Sequence, residues 1–416
     1  MPNSSTEKTK ILQPVYMNHF NCIGPTCEDN CCYGWNVDID TNTYKKYQGV
    51  QHETLSCLIN KSIVEKESSY KVKMKSNICP FFDKDKLCMI HKELGEEFLS
   101  NTCYSYPRSF NIFNDSIEIA ASVSCPEVAR LVLLNKDGID FEYSYDFSKY
   151  TYLPKRMGVF NALIENSNPV FENSYMKYLW EIRSLCIDII QNRNFDLDSN
   201  MILLGLFIEN LSDCINDNKI DNISEVIDLF SRYINTTHTL DSNEKNNSLL
   251  DSKLKILFNI LSKKASLSSI SLPRLDKYYK LFLQGLCIDE QPNRSDLSEA
   301  YLCNYDKYLK DALLEYRHIF ENYLVNYIFI RLFPSDSNND IFKPYSLLSL
   351  NYGLLKFFLV GVSAYYKKLD EDLLVEIIQI YAKTFNHNSF LGNEFYKILK
   401  NNKLDSMLYT TSLIMD

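Results

Sequence analysis

The stretch Tyr175-Met176-Lys177-Tyr178-Leu179-Trp180-Glu181-Ile182-Arg183-Ser184-Leu185-Cys186-Ile187-Asp188-Ile189-Ile190 decides the fold class. It sets apolar groups at i, i+3 and i+4, the period of an α-helix with one buried face. The same period returns at Met201 to Ile215 and Ile223 to Ile234, and predicts further helices over 252–264, 274–287, 297–332, 345–366, 370–385 and 389–401. Polar gaps at Ser242 to Ser248 and Ser335 to Asp340 read as loops. No internal repeat accompanies the helices, so a bundle is expected rather than a solenoid.

Upstream the pattern changes. Short irregular elements are punctuated by Cys, Pro and Gly, with turns at Gly24-Pro25 and Asn77-Ile78-Cys79-Pro80. Lys71-Val72-Lys73-Met74-Lys75 alternates like an exposed strand, and Asn111 to Ser124 reads as a strand pair around Asn114-Asp115. The expectation is a mainly α protein with two parts. Residues 1–150 form a cysteine-rich metal-binding module with two or three short strands, and residues 151–416 form a helical bundle. So small a sheet buries little and would lean on a metal.

A 45% hydrophobic and 23% charged chain is globular in composition, which sets disorder aside for most of it. The formal net charge of −9 argues against a surface that tracks a phosphate backbone, so no nucleic-acid partner is expected. The start, MPNSSTEKTK, is polar and no apolar stretch of signal-peptide length follows, so a cytoplasmic location is expected. Leu347 to Tyr366 carries Asn351, Lys356 and two glycines, and reads as a buried core helix with no membrane role.

Nine of the 13 cysteines lie in the first 125 residues. In a reducing compartment thiols at short spacing are metal ligands or redox groups more often than disulfides. The block Cys22-Ile-Gly-Pro-Thr-Cys27-Glu-Asp-Asn-Cys31-Cys32-Tyr-Gly-Trp35 is followed by Cys79, Cys88, Cys103 and Cys125, and these eight thiols are the candidate ligands of an iron–sulfur cluster or of zinc. Eight exceed the four that one site needs. Either two sites exist, or the surplus thiols pack as small hydrophobes. His91 is a further possible ligand, and Cys57 stands outside the pattern.

These residues resemble a known family, the flagellin lysine N-methylases, whose cysteine-rich segment is shared with a broader group of zinc- or iron-chelating proteins. The resemblance rests on Gln13-Pro14-Val15-Tyr16-Met17, the block Cys22 to Trp35, Cys79-Pro80-Phe81, Leu87-Cys88-Met89-Ile90-His91 and Leu94-Gly95-Glu96. It continues through Cys103 with Tyr106-Pro107-Arg108, Ser124-Cys125-Pro126-Glu127 and Glu321-Asn322-Tyr323-Leu324-Val325-Asn326-Tyr327-Ile328-Phe329. It implies methyl transfer from S-adenosylmethionine to lysines of flagellin by an enzyme carrying a [4Fe-4S] cluster. The rivals are a non-catalytic metal-binding or redox-sensing interaction protein and a zinc-stabilised scaffold.

The chain has no Gly-rich strand–turn–helix fingerprint of a doubly wound methyltransferase, so a sulfonium donor needs a different, largely helical site. Cys27-x3-Cys31 is followed at once by Cys32 and not by the C-x2-C step of radical enzymes that use this donor, which favours polar transfer. Such transfer requires a neutral amine, a proton acceptor and aromatic faces around the cationic donor. The 29 tyrosines supply such faces. Tyr106, Tyr323 and Tyr327 are the catalytic candidates. Tyr104, Arg108, Asn322 and Asn326 are the candidates for donor binding, with Arg108 facing the donor carboxylate. The competing readings are a structural turn at Tyr104–Arg108 and an interhelical hydrogen-bond network at Asn322 and Asn326, one turn apart.

Overall fold

A computed structural model describes residues 10–34, 37–66, 69–153, 156–164, 174–235, 247–268, 273–288, 294–336, 339–386, 389–402 and 405–415. Trp35 and most of the gap expected at Ser242 to Ser248 lie outside them. The chain is mainly α and divides into two compact units. One is built from Met1–Leu131 and Asp140–Glu165, the other from Val132–Ile139, Asn166–Ser269 and Pro273–Asp416.

The first unit holds eight strands among its described residues: β1 (Lys10–Pro14), β2 (Asp38–Ile39), β3 (Ile63–Lys66), β4 (Ser69–Val72), β5 (Arg108–Phe113), β6 (Ser116–Ala121), β7 (Phe141–Ser144) and β8 (Phe160–Ile164). The pair around Asn114-Asp115 forms as expected. Asn114 takes a positive φ of 53°, which Asn tolerates in a two-residue turn, and Phe113 faces Ser116 across it. The sheet is larger than expected, with five strands in the order β7-β1-β6-β5-β8 and a second sheet ordered β2-β4-β3.

The additions are non-local. β1 runs parallel to β6 and β8 parallel to β5, so no local turn marks the pairing. Tyr16 fixes the entry of the first strand, its hydroxyl donating to the Ala121 carbonyl at 3.2 Å and accepting from the Ala121 N–H at 3.1 Å. Ile11, Phe110, Ile119 and Ala121 are fully buried, so this unit has an apolar core of its own. Helices α1 (Thr41–Gln48), α2 (Glu53–Ser62), α3 (Met89–Leu94), α4 (Asn101–Ser105) and α5 (Pro126–Leu133) connect the strands.

The second unit begins its helices with α6 (Leu179–Gln191), α7 (Leu197–Asn216) and α8 (Ile223–Tyr233), followed by α9 (Asn247–Ser268) and α10 (Pro273–Gly285). The single helix expected over 297–332 is divided. α11 (Arg294–Asn304) runs into a π turn at Tyr305–Leu309 and then α12 (Lys310–Glu315), and the backbone leaves helical geometry at Tyr316 before α13 (Arg317–Ile330). That break places Arg317 at a helix start, from which its guanidinium reaches the carbonyls of Asn192 and Phe195.

α14 (Phe342–Tyr366) is the central helix, packed by α7, α9, α10, α11, α15 (Glu371–Phe385), α16 (Ser389–Asn401) and α17 (Met407–Ile414). It is long and apolar enough to cross a membrane, yet 89% of its 18-residue apolar window is buried inside the fold, the condition of a core helix. Gly285 and Gly361 permit its close crossing with α10, since a Cβ on Gly285 would run into the Gly361 carbonyl and one on Gly361 into the Phe282 ring. The fully buried Lys356 ammonium is matched by Asp198 at 2.9 Å and the Ile414 carbonyl at 2.6 Å, which ties α14 to α7 and α17.

Glu321 on α13 is also wholly buried. Arg193 forks onto its carboxylate at 3.0 and 3.2 Å, and the Arg317 Nε stands 3.5 Å away. Arg193 donates onward to the Lys136 carbonyl, and Arg317 to that of Asn192. Beside it the Asn322 amide donates to the Val132 and Asn135 carbonyls at 2.9 and 2.7 Å. One helical turn thus holds both the α6–α7 turn and the 132–139 segment. Glu321→Ala leaves two guanidinium groups facing a vacated site and is expected to cost about 3 kcal/mol in urea denaturation, the low end for breaking a buried pair because Arg193 reaches solvent. Lys280→Ala, at an exposed i,i+4 pair, is expected to change stability by less than about 1 kcal/mol.

Candidate functional site

Two side-chain constellations stand out, one in each unit. In the strand-containing unit the first thiol block lies on turns and not on a regular element. Gly24 has φ +58°, and Asn30 accepts the Cys32 N–H at 2.9 Å. A bridge between Tyr33 and Ile78 then brings the Cys79 N–H to the Cys32 carbonyl at 2.9 Å, so segments far apart in sequence set two thiols side by side. Cys88 joins them through its bridge to Phe82, and Cys103 rides on α4, whose Ser100 cap accepts its N–H at 3.2 Å.

Electrostatic coupling divides the eight thiols into two neighbouring groups. The Cys32 thiol is in hydrogen-bond contact with Cys31 and Cys79, and Cys88 and Cys103 feel the same charges. Cys125 feels the charges of Cys27 and Cys22, and Cys27 that of Cys31. Burial above all pushes Cys88 up to about 11 and Cys103 and Cys125 to about 12, whereas the hydrogen bond from Cys32 lowers Cys79. Among the described residues no three Cys, His, Asp or Glu side chains are disposed as ligands of one ion. The donor chemistry is dominated by thiols, with Glu28 and Asp29 near Cys27, and thiols suit a soft metal or an iron–sulfur centre. His91 is exposed on α3.

Tyr106 borders both groups. Its buried hydroxyl lies 3.2 Å from Ser124 Oγ, and burial followed by the charge of Cys125 raises it well above the ordinary tyrosine range. Tyr104 and Arg108 belong to another cluster. The Tyr104 ring lies between Arg108 and Arg156, whose guanidinium carbons stand 5.1 and 4.5 Å from its centre. Arg108 donates to the Tyr104 carbonyl at 2.9 Å and stands 3.5 Å from Glu96. Tyr104 Oη and Arg108 Nε are buried and have no hydrogen-bond partner among the described residues.

In the helical unit the four candidates on α13 diverge. Asn322 is held by the main-chain carbonyls of Val132 and Asn135, and Asn326 is buried. Tyr327 lines a cavity of about 250 Å³ walled also by Phe333, Phe385, Tyr381, Asn351, Asn386 and Arg331, with Asp336 and Lys343 at hand. Tyr323 lies beneath it. Its hydroxyl accepts from the Asn351 amide at 2.8 Å and the Asn386 amide at 3.3 Å, while Asn351 Oδ1 accepts from Tyr381 at 2.8 Å. Burial holds Tyr323 and Tyr381 above the ordinary tyrosine range, so both stay protonated at neutral pH. The Arg331 guanidinium faces the Tyr327 ring at 5.4 Å and donates to the Asn386 carbonyl.

Asn351, Tyr381, Asn386, Asp336 and Lys343 are the site residues that sequence reasoning missed. The visible signal was Asn351, an amide inside an otherwise apolar run. The cavity falls below the roughly 300–1,000 Å³ of small-molecule sites, and suits one long side chain better than a nucleoside-sized molecule.

Comparison with known proteins gives the chemical class of the chain. Residues 183–413 match the FliB lysine N-methylase C-terminal domain. Curated proteins named Lysine-N-methylase from Salmonella choleraesuis and Salmonella typhimurium are each 24% identical over 401 residues, covering 93% of this chain and 94% of theirs. The Flagellar biosynthetic protein FliU of Salmonella muenchen is 32% identical over 149 residues, 34% of this chain and 88% of that protein. No solved structure matches significantly. The class is a protein-lysine N-methyltransferase, which sets aside the non-catalytic rivals. The chain belongs to the FliB lysine N-methylase family, as its motifs suggested.

Asn351→Leu removes the amide that accepts from Tyr381 and donates to Tyr323, leaving Tyr381 the main-chain carbonyl of residue 351 and Tyr323 the Asn386 amide. The expected loss is about 1–3 kcal/mol in thermal or urea unfolding. A loss below about 1 kcal/mol would show that water replaces the amide and that the network does not set the cavity wall.

Proposed function

We propose that this enzyme transfers methyl groups from S-adenosylmethionine to lysine side chains of flagellin in the cytoplasm, and that its thiols carry a [4Fe-4S] cluster. The observation that carries the reading is the tyrosine-walled cavity with a carboxylate at hand. An entering lysine lays its methylenes along Tyr327, Phe385 and Tyr381, and the aromatic faces hold the ammonium. Removal of water disfavours the charged amine, and Asp336 is the carboxylate placed to receive its proton. The Tyr323–Asn351–Tyr381 network keeps the wall rigid and supplies no charge that would trap the substrate as ammonium.

Tyr104 and Arg108 each keep a buried polar atom without a partner among the described residues, which suits an anionic group such as a carboxylate. Asn322 is already engaged by main-chain carbonyls. The ligands of the cluster are drawn from Cys31, Cys32, Cys79, Cys88 and Cys103, with Cys22, Cys27 and Cys125 as the neighbouring set. Thiolate ligation there would supply a redox-active or electrostatic centre, with zinc as the alternative occupant.

The enzyme is purified without oxygen and incubated with methyl-labelled S-adenosylmethionine and flagellin monomers, and the label is mapped by mass spectrometry. Labelled flagellin lysines are expected. Tyr327→Ala, losing a cation–π face worth roughly 0.5–2 kcal/mol, should lower kcat/KM about 2- to 30-fold. No labelled flagellin would overturn the substrate assignment. Metal analysis should return iron and sulfide in equal amounts, about four of each per chain, and stoichiometric zinc without sulfide would overturn the cluster.

A further inference from the structure

A second cavity of the helical unit, of about 300 Å³, opens where α13 begins. Lys136, Arg193, Arg317 and His318 bring basic groups to it, and Glu315 and Glu371 bring carboxylates. Tyr316 completes the lining, so no aliphatic side chain faces it among the described residues. Small-molecule sites are lined mostly by apolar groups, and a wall of charges suits a small polar ion instead of a nucleoside. Several donors there are uncommitted. Arg193 Nε and Nη2 serve Glu321 and the Lys136 carbonyl, which leaves Nη1 without a bond among the described residues. Lys136 is exposed, and its ammonium has no ion pair among the described residues. His318 Nε2 is buried without a hydrogen-bond partner, and at 3.9 Å Glu371 Oε1 is beyond its reach. Burial first of all lowers His318, so at neutral pH it does not neutralise Glu371. The start of α13 adds a positive helix end, where Tyr316 in the cap position gives no side-chain bond and no acidic residue lies in the first turn.

We propose that this cavity binds a hydrogen phosphate ion. Lys136 and Arg193 supply charge to its oxygens, His318 Nε2 donates to one of them, and the N-terminal end of α13 favours the same sign. The carboxylates choose between oxyanions. At neutral pH hydrogen phosphate keeps a proton that Glu371 accepts, whereas sulfate has none and a phosphate monoester has largely lost its own. Sulfate and the monoester therefore meet the carboxylate with lone pairs only. A bound phosphate joins the 132–139 segment, the α6–α7 turn and the starts of α13 and α15, the two helices that carry Tyr327 and Tyr381. The site is independent of methyl transfer and of the reading of the tyrosine-walled cavity.

The full chain, purified without oxygen and dialysed free of phosphate, is titrated by calorimetry with sodium phosphate, sodium sulfate or methyl phosphate at neutral pH and constant ionic strength. Saturable binding of one phosphate per chain is expected. Sulfate and methyl phosphate should each bind more weakly by about tenfold or more, the loss of one hydrogen bond to a charged group. Lys136→Ala, at an exposed side chain outside the buried pairs, should keep the unfolding midpoint measured without phosphate and weaken phosphate binding about tenfold. Glu371→Gln should bring phosphate and sulfate to within about threefold of each other, because the amide accepts from one and donates to the other. The absence of saturable phosphate binding up to about 10 mM would overturn the proposal. So would equal binding of phosphate and sulfate by the wild-type chain, or phosphate binding that Lys136→Ala leaves unchanged. Methyl phosphate binding more tightly than phosphate would make the ligand an ester and overturn the assignment to the free ion.

Discussion

A carboxylate without water needs positive charge and hydrogen-bond donors on several sides, and the helical unit is arranged around one that has them. Glu321 is buried on α13, and the two arginines that neutralise it, Arg193 and Arg317, also occupy the carbonyls of Lys136, Asn192 and Phe195. A helix, a turn between two others and a stretch of irregular backbone are thereby fixed with respect to one charge. Asn322 extends the same turn of α13 onto two more carbonyls. The opposite need, to hold a cation in the core, is met by Asp198 and the Ile414 carbonyl around Lys356.

The two constellations differ in how they are made. The thiols come from turns and short helices, where backbone bridges such as Cys79 to Cys32 set distances that no helical face could set. The cavity rests on α13, α14 and α15, whose packed cores hold its tyrosines in place. The thiols thus stand on turns and short helices and the cavity on long ones.

The helices were legible because burial of one face imposes a period that any window of the chain displays. Helices 389–401 and 371–385 follow it almost to the residue. The hairpin was legible through Asn114-Asp115. The five-stranded sheet was not, because β1 and β8 find their partners across long stretches of chain and carry only five residues each. The same reason hid most of the cavity. Tyr327 was visible as an aromatic on a polar-spotted helix, but Asp336, Asn351, Tyr381 and Asn386 acquire meaning only when three helices and a loop meet. Glu321 stood in the sequence only as the first residue of the motif Glu321 to Phe329, and nothing local shows that Arg193, between α6 and α7, is its partner.

The network beneath the cavity contains two phenols and two amides and no carboxylate, imidazole or amine. Its hydroxyls are held protonated by burial and its amides do not titrate, so it carries the same charge from mildly acid to strongly basic solution. These four side chains therefore keep their hydrogen bonds over a wide range of pH, and the charged groups of the pocket are Arg331 and the Asp336–Lys343 pair. A change of this pocket with acidity would then start at its charged groups, with the tyrosine–asparagine wall serving as a fixed frame of reference.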